Sequence, residues 1–239
     1  MSSRAFESSG REAALATARS RAYATFAGCF EYPDEELCEL VRSGALARAL
    51  RTVLAALDAE LAADLDAAAL SDAGQGDALA VEFTRLFDVG ASGPPCPLYG
   101  GTWGGARMKT MEETVRFYNH FGLTLSESPR ELPDHLTTEL EFLHFLTFHE
   151  AEALQCGEDP GSFRRAARDF VARHPGRWVP KLGRKLAAQD PLPFFRELVR
   201  QLERFLTHEE HHLIAVAGTP PPDAAGARLT HLEKTYSNG

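Results

Sequence analysis

The chain has 239 residues, with 25 Lys and Arg against 34 Asp and Glu, and a formal charge of −9. That length suits one large domain or two small ones, and a hydrophobic content of 44% can build a sizeable core. The acidic balance argues against broad nucleic-acid binding, the ordinary charged content argues against wholesale disorder, and no run approaches the ~20 apolar residues of a membrane-spanning helix.

Nine Val and a single Ile, Ile214, stand against 36 Ala and 30 Leu. Strands favour β-branched and aromatic residues, whereas Ala and Leu suit helices, so the fold is expected to be all-α. Leu15, Ala22, Phe26 and Phe30 form a first helical stripe that stops at Tyr32-Pro33. Asp34 can cap a short helix carrying Leu37, Leu40 and Val41, and Gly44 suits its exit. Leu46, Leu50, Leu54, Leu57, Leu61 and Leu65 predict one long helix, and Leu79, Phe83 and Leu86 the next. Residues 90–105 carry six Gly and three Pro and predict a long loop, yet Leu98, Tyr99 and Trp103 give it anchors that a plain linker lacks. A helix is expected over roughly 109–121. Pro133-Asp134 opens the most apolar helix, which reaches about Gln155 and should be the central buried one. Stripes at Phe163 to His174, Trp178 to Leu186 and Phe195 to Leu206 predict three more helices, the last ending near Leu213. This gives one helical domain over residues 1–215 and a loosely held tail over 216–239.

The start, Met1 to Glu7, has no apolar signal core and no adjacent arginine pair, so a cytoplasmic protein is expected. Cys29, Cys38, Cys96 and Cys156 form no CxxC pair and read as inert thiols. His208-Glu209-Glu210-His211-His212 matches HExxH literally, and Glu141…His144 and Glu209…His212 repeat Glu-x-x-His. A helical zinc or di-iron protein using Glu141, His144, Glu209 and His212 is therefore the alternative reading. The preferred one treats 208–212 as the polar end of a surface helix, because no third ligand follows at the spacing a zinc protease needs. No nucleophile elbow, catalytic triad context or phosphate loop is present, and neither catalysis nor a cofactor is expected.

Charge is the stronger signal. Residues 127–152 hold Glu127, Glu131, Asp134, Glu139, Glu141, Glu150 and Glu152 against Arg130 alone, on and beside the most apolar helix. Carboxylates there are costly unless they cap, pair or line a groove. A groove with apolar walls and acidic lips suits a peptide that is both basic and apolar.

Several blocks in order resemble the TorD/DmsD/NarJ chaperones of molybdoenzyme maturation. These are Glu82-Phe83-Thr84-Arg85-Leu86-Phe87, then Pro97-Leu98-Tyr99 with Trp103, then Phe117-Tyr118 and Phe121-Gly122-Leu123, then Leu132-Pro133-Asp134-His135-Leu136 with Glu139-Leu140-Glu141-Phe142-Leu143. Trp178-Val179-Pro180 and Pro193-Phe194-Phe195 follow, so the resemblance spans roughly residues 15–213. It implies a TorD-like helical domain and a partner: the twin-arginine signal peptide of a molybdenum-cofactor oxidoreductase subunit, held until the cofactor is inserted and export begins. It implies peptide-binding roles for Tyr99, Trp103, Asp134 and His135, to which the acidic segment adds Glu139 and Glu141. Gly100 stands where that loop usually carries a Glu. Cys96 to Gly101 looks like the chaperones of the dimethylsulfide, ethylbenzene, selenate and chlorate enzymes. The protein is expected to act as a monomer or homodimer.

Overall fold

The computed structural model describes residues 2–91, 93–104, 106–124 and 132–221. Glu127, Arg130, Glu131 and residues 222–239, most of the expected tail, lie outside the described residues. Among the described residues ten α-helices run in the order α1 Ser2–Cys29, α2 Glu35–Arg42, α3 Ala45–Leu57, α4 Ala59–Ala63, α5 Ala78–Phe83, α6 Arg107–His120, α7 Leu136–Cys156, α8 Gly161–Arg173, α9 Pro175–Ala187 and α10 Pro193–Ala217. Short 3-10 turns and one π-helical turn, Thr84–Asp88, link some of them. Among the described residues the only β-type pairing is two isolated bridges, so the expected all-α class holds.

α7 is the axis. Leu136, Leu140, Leu143 and Leu146 on it are fully buried. α1 packs along α7, α8 flanks it, and α10 lies against α8 and α9. Aromatic groups fill the interior, one of them Phe83, Phe87, Phe194 and Phe195. Phe26 and Tyr23 of α1 meet Phe205 of α10, and Phe142 of α7 meets Phe117, Tyr118 and Phe170. Edge-to-face rings of this kind add to simple area burial.

Three boundaries differ from expectation. The stripe from Leu46 to Leu65 is two helices, because Asp58 leaves helical geometry (φ −155°, ψ 131°) and its carboxylate accepts from the Glu60 N–H. Apolar spacing continues across the break, but Asp is a better N-cap than helix interior. The cap of α7 is His135, whose Nδ1 accepts from the Thr137 N–H, rather than Asp134. α10 continues past Leu213 to Ala217, where Gly218 at φ 78° stops it.

A buried ion cluster joins α1, α7, α8 and α10. Arg19 Nε donates to both Glu209 oxygens at 2.9 Å, Nη1 donates to Glu150 Oε2 at 2.6 Å, and Tyr23 Oη donates to Glu209 Oε2 at 3.0 Å. Arg164 Nε closes the group on Glu150 Oε1 at 2.7 Å. Arg19 is 1% and Glu209 0% exposed. Burial disfavours the Arg19 cation, but Glu209 and Glu150 outweigh it and hold the guanidinium more firmly protonated than usual. Glu209 is thus an interior ion-pair partner in mid-helix, which corrects the reading of 208–212 as a solvated helix end.

Candidate functional site

The 97–104 segment is an ordered loop laid over the start of α7. Leu136 N–H donates to Leu98 O and Gly100 N–H to Asp134 O, both at 2.8 Å, so a short bridge ties Tyr99 to His135. Asp134 Oδ2 accepts from Gly101 N–H at 2.9 Å. Trp103 Nε1 donates to Pro97 O at 2.9 Å, and its ring stacks on Trp178 with centroids 6.3 Å apart. The paired glycines are required by close approach. A Cβ on Gly100 would lie 2.9 Å from Trp178 Nε1, and one on Gly101 2.9 Å from Asp134 Oδ2. No side chain fits at position 100 without displacing Trp178, so the Glu usual there has no room.

Beside the loop opens a cavity of about 900 Å³. Phe83, Phe87, Phe142 and Phe145 wall it, and Tyr99, His135 and Pro133 form one side. Among the described residues its charged lining groups are Glu31, Asp34, Asp88 and Glu141, with no Lys or Arg. Tyr32, 58% exposed, stands at the rim with its ring edge-on to Phe83. Glu141 holds its proton more tightly than usual, chiefly through burial and then through the like charge of Glu31, with His144 opposing. The two carboxylates thus share a field that a cation would relieve.

Of the six residues singled out in the sequence, the fold brings Tyr99, His135 and Glu141 to this cavity. Trp103 lies on the far side of the loop, against Trp178. Asp134 and Glu139 are 0% exposed and sit behind the loop. Glu139 Oε2 accepts from Trp178 Nε1 at 2.9 Å, and Oε1 lies 3.8 Å from His174 Nδ1. Burial first, and the Asp134 charge second, push the Glu139 carboxyl well above the usual range against the Trp178 bond, so it is held protonated. Sequence reasoning missed Glu31, Tyr32, Asp34 and Asp88. Tyr32-Pro33-Asp34 signalled a helix boundary, and nothing local says that this turn faces α7.

The alternative metal set is dispersed. His144 Nδ1 is 2.8 Å from Ser20 Oγ, Glu209 is bound by Arg19 and Tyr23, and Glu141 faces the cavity. Among the described residues no group of three or more His, Cys, Asp or Glu is placed to hold a metal ion.

The family model described as nitrate reductase delta subunit matches residues 44–183, more than half of the chain. The chain belongs to this family. Within this delta-subunit family match lie the loop, the cap of α7, Glu139 and Glu141; Glu31, Tyr32 and Asp34 lie before it. The chain is 42% identical over 116 residues to the selenate reductase assembly chaperone protein of Thauera selenatis, covering 48% of this chain and 60% of that one. It is 39% identical over 116 residues, with the same coverage, to the chlorate reductase assembly chaperone protein of Ideonella dechloratans. It is 27% identical over 139 residues to the chaperone protein TorD of Vibrio parahaemolyticus, covering 57% and 64%. The chain therefore spans about 60% of the length of the first two relatives. The TorD-type resemblance, with its selenate and chlorate subgroup, agrees with these matches.

His174, behind the loop, makes stability depend on pH. Burial first, then Arg173 and Arg177, lower its pKa from 6.5 to about 3. The fold holds it neutral while the unfolded chain protonates it, so its contribution is complete above 6.5 and lost as pH falls toward 3. The neighbouring Glu139, protonated in the fold, acts with the opposite sign as pH rises through its unfolded value. The difference between wild type and His174→Gln isolates the first effect. Urea unfolding is expected to show that difference rising by about 1.4 kcal/mol per pH unit up to the ordinary His value and flattening beyond it.

Proposed function

We propose that this protein is a cytoplasmic assembly chaperone for the catalytic subunit of a molybdenum-cofactor oxidoreductase. In this reading its groove holds the subunit's twin-arginine signal peptide, and the apo-subunit is kept until cofactor is inserted and export begins. The protein acts by binding rather than by catalysis, as a monomer or homodimer, through one helical domain that ends with α10; any loosely held tail follows it.

One observation carries the reading. Among the described residues the groove joins aromatic walls to four carboxylates without a Lys or Arg in its lining. A twin-arginine leader presents two guanidinium groups and then an apolar stretch. Carboxylates take guanidinium groups by charge-assisted hydrogen bonds, and rings cover the apolar part. Glu141 and Glu31 are the natural acceptors, since an arginine between them relieves both burial and mutual repulsion. Tyr99 and His135 supply the apolar side, with Tyr99 held by the bridge to α7. Asp134 and Glu139 act one step back, as positioning residues that seat the loop. Assembly-chaperone relatives support the client class.

The test is calorimetric titration of the leader peptide from the molybdenum oxidoreductase subunit encoded nearest to this gene. Glu141→Gln is expected to weaken binding roughly tenfold and to reduce its salt dependence, because a screened charge pair is removed. Tyr99→Ala is expected to weaken binding by a similar factor with the salt dependence kept. Full affinity in both variants, or no binding by wild type, refutes the assignment.

A further inference from the structure

Residues 170–189 contain five Lys or Arg and no Asp or Glu, in a chain whose acids outnumber its bases by nine. Four of the five lie on α9. Arg177, Lys181 and Arg184 fall at i, i+4 and i+7 on one stripe, with Lys185 beside it, while Trp178, Val179, Leu182 and Leu186 turn the other face into the core. The flanking cations are paired, Arg173 with Glu113 and Arg196 with Asp190. Among the described residues, none of the four on α9 forms an ion pair within 4.0 Å. Lys181 Nζ donates to Trp103 O at 2.7 Å, and two carboxylates that meet α9 lie off the stripe, Glu203 of α10 under Gly183 and Glu139 of α7 on Trp178.

A row of solvated cations by itself carries little. This one is set against the groove. The 97–104 loop is the boundary: Tyr99 lines the acidic cavity on one side, and Trp103 O accepts from Lys181 on the other. Two faces of opposite sign thus share one loop. The stripe runs about 12 Å, from Arg177 to Lys185 at 1.5 Å per residue. As the outer side of a packed helix it is convex, so a small anion there would stay in water, whereas a protein face would cover it. α9 contributes none of the exposed large hydrophobic side chains, which leaves nothing to insert into a lipid surface.

We propose that the α9 stripe is a second docking surface, which takes an acidic face on the body of the same polypeptide whose leader fills the groove. This rests on the chaperone reading above. A chain leaving the groove over Tyr99 meets the stripe one loop away, and complementary charge there would set the orientation of the body and its rate of capture.

The triple variant Arg177→Glu/Arg184→Glu/Lys185→Glu tests it, with Lys181 left in place because it holds Trp103. Three probes are titrated: the leader peptide, the full apo-subunit and the subunit without its leader. The variant is expected to bind the leader peptide as wild type does. It should bind the full subunit at least tenfold more weakly and lose the leaderless one. Should charge reversal unfold the protein, judged by circular dichroism, the neutral set Arg177→Gln/Arg184→Gln/Lys185→Gln replaces it, with a smaller loss expected in the same two probes. Equal affinity of wild type and variant for the full subunit overturns the proposal. So does loss of sedimentation with phosphatidylglycerol vesicles while subunit binding is untouched, which would assign the stripe to a membrane. Wild type that binds neither leader nor subunit refutes the chaperone reading itself, and is told apart by the peptide arm.

Discussion

Arg19→Met is expected to cost about 3–5 kcal/mol of unfolding free energy. Among the described residues Arg19 is the only cation bonded to Glu209, and it shares Glu150 with Arg164. Removing it leaves the Glu209 carboxyl 0% exposed and, among the described residues, held by the Tyr23 hydroxyl alone. A buried charge stripped of its counterion keeps the full desolvation cost and loses the Coulombic return. The double variant Arg19→Met/Glu209→Gln is expected to be more stable than the single one, because the amide is neutral, still accepts from Tyr23, and leaves Glu150 paired with Arg164. Urea unfolding of both variants reads this directly. A loss below about 1 kcal/mol in Arg19→Met, or no recovery in the double variant, would show that the cluster is not the keystone of the α1, α7 and α10 junction.

Asp134→Ala is expected to reduce both stability and leader-peptide affinity, by a route that differs from the one the sequence suggests. The acidic segment and the family resemblance point to Asp134 as a direct guanidinium partner. The structure places its carboxylate out of water, accepting from Gly101 N–H under the loop. Loss of a hydrogen bond to a charged group, with a buried N–H left behind, costs about 1.5–3 kcal/mol. The loop that carries Tyr99 then loses its tie to the start of α7. The expected signature is a lower melting temperature together with weaker peptide binding whose salt dependence is unchanged. Asp134→Asn, which can still accept from Gly101, should recover much of both. A salt dependence that collapses in Asp134→Asn at unchanged melting temperature would instead make Asp134 a contact residue.

Local chemistry explains why much of this was legible. Scarce Val and Ile, apolar stripes at helical spacing and Gly/Pro breaks mark nearly every helix, because each signal acts within a turn or two of its own residue. The exceptions follow the same logic: Asp58 divides a continuous Leu stripe because a cap is a local preference that spacing alone does not reveal. The candidate site was legible only as a set of residue types. Acids beside the most apolar helix announced a groove, but they did not sort themselves into Glu141 at the cavity, Glu139 protonated behind it and Glu150 inside an ion cluster. A clue to the cluster was present: Arg19 follows Leu15 by four residues and Glu209 follows Phe205 by four, so both stand on core-facing stripes where a lone charge would be prohibitive.

Composition and apolar spacing set the class of the fold, the positions of most helix ends, the loop with its aromatic anchors, and the sign of the charge that its groove presents. Those properties depend on composition and on spacing along one helix. Packing between distant segments settles which carboxylates meet water and which meet arginine, that the Tyr32 turn and Asp88 complete the cavity, and that α9 turns its cations outward one loop from the acidic lips. Each of these is a relation between segments tens to nearly two hundred residues apart, such as Arg19 with Glu209. Burial and Coulomb energy depend on such distances in space, which no pattern within a single helix encodes.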